Sequence, residues 1–304
     1  VTVNLVDKIP NDHVFMFDNV DAFLERIHPK NFLRPKSQGR CIFRGQPSNF
    51  NLTPSAFRKD YLFRLTRINF GNSSEHYQIL HEILALRTFL EASDRQGLLV
   101  PGDSQAFREE LLSMGGTIAT IFNFKKYWPS ESATHVLTFA QHSGLPTRLL
   151  DWTRRSLIAA YFAATGTAKK AIYEHDEVEP NEDMAVWAFC DEFVSRYKDP
   201  EIVIVDVPTG LNQNLVLQRG CFTLVRSKPK EKEAKYMDFE DAVVNNYMKF
   251  GGIFPLKKFI LRSGQRRRLL KILSECDGID GASMFGGIDG AMKLIKERAY
   301  WFSA

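Results

Sequence analysis

QHSGLPTRLLDWTRRSLIAAYFAA, from Gln141 to Ala164, sets a histidine, an arginine, an aspartate, a tryptophan and a threonine between two regular elements. Upstream, Val136, Leu137 and Phe139 continue a helical spacing that begins at Glu131 and ends at His142. Gly144 suits a left-handed stop and Pro146 forbids continuation. His142 therefore falls in the last helical turn, where the helix dipole favours its protonated form. Leu149 to Trp152 reads as a short strand. Thr153 is placed to cap a helix from Ser156 to Ala164, which is apolar nearly all round and so must be buried. Along the chain, helices come first and strands mixed with short helices follow, an order that predicts an α+β fold: a small mixed or antiparallel sheet core with helical insertions.

Working outward toward the N-terminus, CIF (Cys41 to Phe43) reads as a strand, with Arg44-Gly45 at its end, where backbone can approach a ligand. Val14 to Lys30 reads as a turn followed by a helix capped by Asp18 or Asn19. Ile79, Leu80, Ile83, Leu84, Leu86, Phe89 and Leu90 form a wide apolar stripe on a helix from Glu75 to Arg95, and Ser104 caps another through Leu112. Toward the C-terminus, MAVWAFC (Met184 to Cys190), EIVIVDV (Glu201 to Val207) and CFTLVR (Cys221 to Arg226) read as strands. Ile253 to Leu261 reads as another, with Pro255 marking it as an edge. Residues 1–304 are read as a single domain, with a helical insertion at about 60–130 and a helical segment at about 262–304.

Bulk properties narrow the class. Hydrophobic residues make up 44% and charged residues 25%, enough for a true core. No apolar run approaches the ~18 residues of a membrane span, and the first residues lack the layout of a secretory signal. The four cysteines are scattered, with no CxxC. That spacing argues against a zinc site and a disulfide framework and predicts a reducing, cytoplasmic setting with no metal. Net charge is +4, which permits an anionic partner without demanding one. Basic segments at Ser227 to Lys235 and at Arg266, Arg267 and Arg268 are candidate contacts for RNA or DNA, with a solvated face as the plainer reading. There is no GxGxxG after a strand, no Walker loop, no HExxH and no GxSxG, which sets aside a doubly wound nucleotide fold.

Four places carry candidate chemistry. Arg44 offers a fork for phosphate or carboxylate. His142, Arg148 and Asp151 can orient one another or a ligand. Trp152 and Tyr161 can stack on a ring or belong to the core. Gln218, before Gly220 and a strand, can bond a sugar hydroxyl but cannot act as a base, because an amide does not titrate near neutral pH.

IFRGQ (Ile42 to Gln46), LTPSAFR (Leu52 to Arg58), Gln141 to Ala163 and QRGCF (Gln218 to Phe222) resemble the FRG domain family, named for its Phe-Arg-Gly motif. MFGGIDGAMKLI (Met284 to Ile295) resembles the family's closing segment. The resemblance implies an ADP-ribosyltransferase-like layout. It makes NAD the expected substrate, held by Arg44, Gly45, Gln46, Arg148, Trp152, Thr153 and Tyr161. The catalytic set is then Arg44, His142, Asp151 and Gln218, with Gln218 standing where related transferases carry a glutamate. The expected activity is transfer of ADP-ribose to nucleic acid or protein by a bacterial toxin or antiphage effector, with a neutralising antitoxin as a further partner. A non-catalytic nucleotide or nucleic-acid binding module is the competing reading. A hydrolase or nuclease using His142 and Asp151 is a third.

Overall fold

The computed structural model describes residues 9–33, 40–58, 74–115, 127–174, 181–190, 201–206, 213–227, 237–250 and 254–302. Its centre is strand β4 (Met184–Cys190), buried at every position. Met184, Val186, Ala188 and Cys190 join the core on one face; Ala185, Trp187 and Phe189 join that on the other. A strand apolar on both faces must lie inside a covered sheet. Here β2 (Cys41–Gln46) and β7 (Leu256–Leu261) flank it, both antiparallel.

The full sheet has seven strands in the order β1-β7-β4-β2-β3-β6-β5, and is larger than the small core expected. The remaining strands are β1 (Val14–Phe17), β3 (Leu149–Thr153), β5 (Ile202–Val205) and β6 (Gly220–Val225). β1 pairs parallel with β7 and every other pairing is antiparallel, so the sheet is mixed.

Two readings change here. Val14–Phe17 is a strand and not a turn; Asn19 then caps helix α1 (Val20–Ile27) through its side-chain oxygen. β7 is interior rather than an edge. Pro255 precedes it, so its missing N–H removes no ladder bond, and its carbonyl accepts from Cys190 N.

One face of the sheet is covered in two parts. Over β1, β7, β4 and β2 lie α1, α5 (Ser156–Thr167), α8 (Arg266–Asp277) and α10 (Gly287–Phe302). Over β3, β6 and β5 lie α2 (Glu75–Arg95), α3 (Gln105–Gly115) and α4 (Glu131–His142), joined by Ile79, Ile83, Phe107, Leu111, Val136 and Leu149. Ser130 caps α4, and Ser104 Oγ accepts from Phe107 N at the start of α3. Short α6 (Gln213–Leu217) and α9 (Gly281–Phe285) lie between β6 and α10. The opposite face packs on α7 (Phe239–Phe250).

Cys41 and Cys190, in register across β2 and β4, form a disulfide, whereas the scattered spacing had pointed to none. Cys221 and Cys276 take no part in a disulfide. The basic segment Ser227 to Lys235 lies, beyond Ser227, outside the described residues.

Candidate functional site

β2 and β3 are neighbours in the sheet, yet their register holds only at Phe43↔Thr153. By contrast β2 pairs with β4 from Cys41 through Gln46, and β3 with β6 from Leu149 through Thr153. Past that single pairing the strands part. A cleft of about 360 Å³ opens there, lined by Phe43, Arg44, Gly45, His142, Asp151, Trp152, Thr153, Ala159, Phe162 and Gln218. Its volume lies within the range of small-molecule sites.

Arg44 occupies the split. It alternates with Phe43 along β2, so its side chain starts toward the opposite face. Its Nη1 then reaches the Asp151 carbonyl oxygen at 2.7 Å, and the Asp151 carboxylate lies 3.5 Å away. The Arg44 side chain is 14% exposed against 61% for Asp151, so the cation is enclosed and the anion solvated. Burial lowers the Arg44 pKa from its ordinary value, and Asp151 partly offsets this. Arg44 Nε is buried and makes no hydrogen bond.

Asp151 is itself positioned. Gln141 Nε2 donates to its carboxylate at 2.7 Å, and Thr147 Oγ1 donates to Gln141 Oε1. Sequence reasoning missed this support, although Gln141 opens the decisive stretch. His142 sits at the end of α4 with its ring edge against Phe222, 5.6 Å between centroids. Burial lowers its pKa, and Asp151 opposes this. The helix-dipole expectation of a favoured imidazolium is therefore corrected: desolvation outweighs it.

Gly45, besides lining the cleft, lies directly against helix α5. A Cβ there would lie 1.9 Å from the Ala159 carbonyl oxygen and 2.6 Å from Ala163 N. Only glycine allows α5 to lie this close on β2. Nor is Arg44-Gly45 a strand end, because β2 runs on to Gln46.

Thr153 does not cap α5 as expected. Arg155 holds the N-cap position without a side-chain bond, while Thr153 Oγ1 donates to the Gln218 carbonyl and accepts from Arg155 N. That links β3 to the turn before β6. Gln218 is fixed from the other side, its Nε2 donating to Met284 O of α9 at 3.2 Å.

Three expected binding residues lie elsewhere. Arg148 is buried against Glu82 through two bonds of 2.7 and 3.0 Å, and also donates to Val225 O. Tyr161 donates to buried Glu297, which also accepts from Tyr173 and from Gly281 N. Gln46 is buried, donating to Asn51 O and accepting from Trp187 Nε1. Trp152 borders the cleft but is buried, its Nε1 bound to Thr223 Oγ1. Phe43 borders it too and is equally buried, so the partly exposed aromatic ring at the cleft is that of Phe162.

The Arg266–Arg268 run makes contacts within the chain, with Arg268 on the surface. Arg268 pairs with Asp21, Arg267 lies over Tyr300, and Arg266 is buried with Nη2 on Glu182 O.

Residues 39–172 match the family model of the FRG domain. That segment covers less than half of the chain but holds Arg44, Gln141, His142 and Asp151, and so most of the cleft. Gln218 and the helices from α8 onward fall outside the FRG match. No curated protein and no solved structure matches the chain. Among the described residues, no helix is long and apolar enough to cross a membrane.

Proposed function

We propose that the cleft binds NAD and that the protein is an ADP-ribosyltransferase. The observation that carries this reading is Arg44: an enclosed guanidinium at a split between strands, with a buried Nε–H that has no partner. An unmet buried donor costs about 1–3 kcal/mol, which an anionic or carbonyl group of a ligand would offset. Phe162 offers a ring face for a base or nicotinamide, and Gln218 an amide for a ribose hydroxyl. Arg148 is withdrawn as a phosphate anchor. The exposed Arg155 and Arg219, each close in sequence to a cleft residue, are the arginines we propose for that role.

In the proposed reaction the bond between nicotinamide nitrogen and ribose C1′ breaks, and nicotinamide leaves neutral. The acceptor's nucleophilic atom bonds to C1′, and its proton passes to Asp151 or to neutral His142. Positive charge builds on the ribose, so preorganised polar groups serve better than a strong nucleophile. The acceptor is a nucleic acid or a protein, and the setting a bacterial toxin or defence effector.

The second reading is a nucleotide-binding module without turnover. It is favoured by Gln218, which cannot titrate and is held by Met284. Incubation with NAD labelled in the adenylate half, together with RNA, single-stranded DNA or lysate protein, separates the two. Released nicotinamide with label on an acceptor supports transfer. Binding of NAD with neither outcome supports the module, and absence of binding overturns both.

A further inference from the structure

Helix α10 has two apolar faces. One turns inward: Gly290, Glu297 and Trp301 are buried, and Leu294 packs on the core. The other is open. Ile288 is 83% exposed, Met292 48%, Ile295 59% and Phe302 65%. Ala299, also exposed, completes the row. These positions alternate four and three residues apart, the spacing of a coiled-coil seam. Single exposed apolar residues need no explanation; a continuous row along one helix marks a contact surface.

We propose that this face is a self-association seam, on which α10 packs antiparallel against α10 of a second copy. The flanking charges select that occupant and that direction. Asp289 and Lys296 lie on the same edge of the row, one helical heptad apart. Neither enters an ion pair among the described residues. Lys293, by contrast, is committed over the Tyr173 and Phe285 rings.

In the antiparallel alignment, Met292 meets Ile295 of the second copy and Ile288 meets its Ala299. Asp289 then faces Lys296 of the second copy, and two-fold symmetry repeats the pair. A parallel alignment sets Lys296 against Ala291 and gains no such pair. The seam is narrow beside the ~800 Å² per partner of a standard interface. The dimer therefore dissociates on dilution.

The test is sedimentation velocity on the full chain from about 1 µM to about 200 µM. Mass is expected to rise toward that of a dimer, and Ile295→Asp to abolish the rise with an unchanged circular dichroism spectrum. Asp289→Lys and Lys296→Asp should each weaken association by roughly 3-fold or more, and the double exchange should restore it. A monomer at every concentration overturns the seam. Single exchanges without effect overturn the antiparallel register.

Discussion

Arg44 Nη1 donates to the Asp151 carbonyl oxygen at 2.7 Å, bridging the two strands where their backbone pairing has stopped. The bond takes one of the five N–H groups of the guanidinium and leaves Nε without a partner. If that unmet donor serves a ligand, Arg44→Ala lowers nicotinamide release or NAD affinity by about 100-fold. Arg44→Lys recovers little, because an ammonium lacks the planar fork. Full activity in either variant removes Arg44 from the site.

Gly45→Ala tests the packing beneath the cleft. Its Cβ meets the backbone of Ala159 and Ala163, which has no flexible end to swing away. Loss of about 3 kcal/mol or more of stability is expected, read by urea unfolding. A change below about 0.5 kcal/mol would show that α5 does not hold this approach in solution.

Arg148 separates architecture from ligand binding. Removing it leaves Glu82 buried without its cation, next to the Trp128 Nε1 bond it also accepts. Arg148→Met should cost about 3–5 kcal/mol. Glu82→Leu combined with Arg148→Met should recover part of that loss. If Arg148→Met instead weakens NAD binding at unchanged stability, the residue belongs to the cleft after all.

His142 provides the pH signature. Its folded pKa lies below the ordinary 6.5, because burial outweighs the attraction of Asp151. The stability it contributes is present above the ordinary value and lost as pH falls through the folded one. An NMR titration should place the imidazole below 6.5, and Asp151→Asn should lower it further. If neutral His142 takes the acceptor's proton, the transfer rate falls with the same midpoint on the acid side, and His142→Gln removes that limb.

The elements legible in the sequence were those with a local signature. The apolar stripe from Ile79 to Leu90, the spacing from Glu131 with the Gly144 stop, and the run MAVWAFC each located its element to within a residue or two. Val14–Phe17 was not legible, because its reason to be a strand lies in β7, far along the chain. Much of the cleft could be read because Arg44 and the stretch from Gln141 carry dense polar chemistry. Arg148 and Tyr161 misled for the converse reason. Their side chains invite a ligand, and only the fold reveals that Glu82 and Glu297 already occupy them. Gln141, an unremarkable amide in sequence, gained its role from the distance to Asp151.

The lone Phe43↔Thr153 pairing has a mechanical meaning. On one side of it, α5 is seated on β2 through Gly45; on the other, α4 travels with β3 and β6. Past that pairing the ladder supplies no further bond between β2 and β3, and the Arg44 side chain bridges them there. A molecule gripped by both Arg44 and Gln218 would add a tie across that gap. Its arrival would then register as a higher melting temperature even where no chemistry follows.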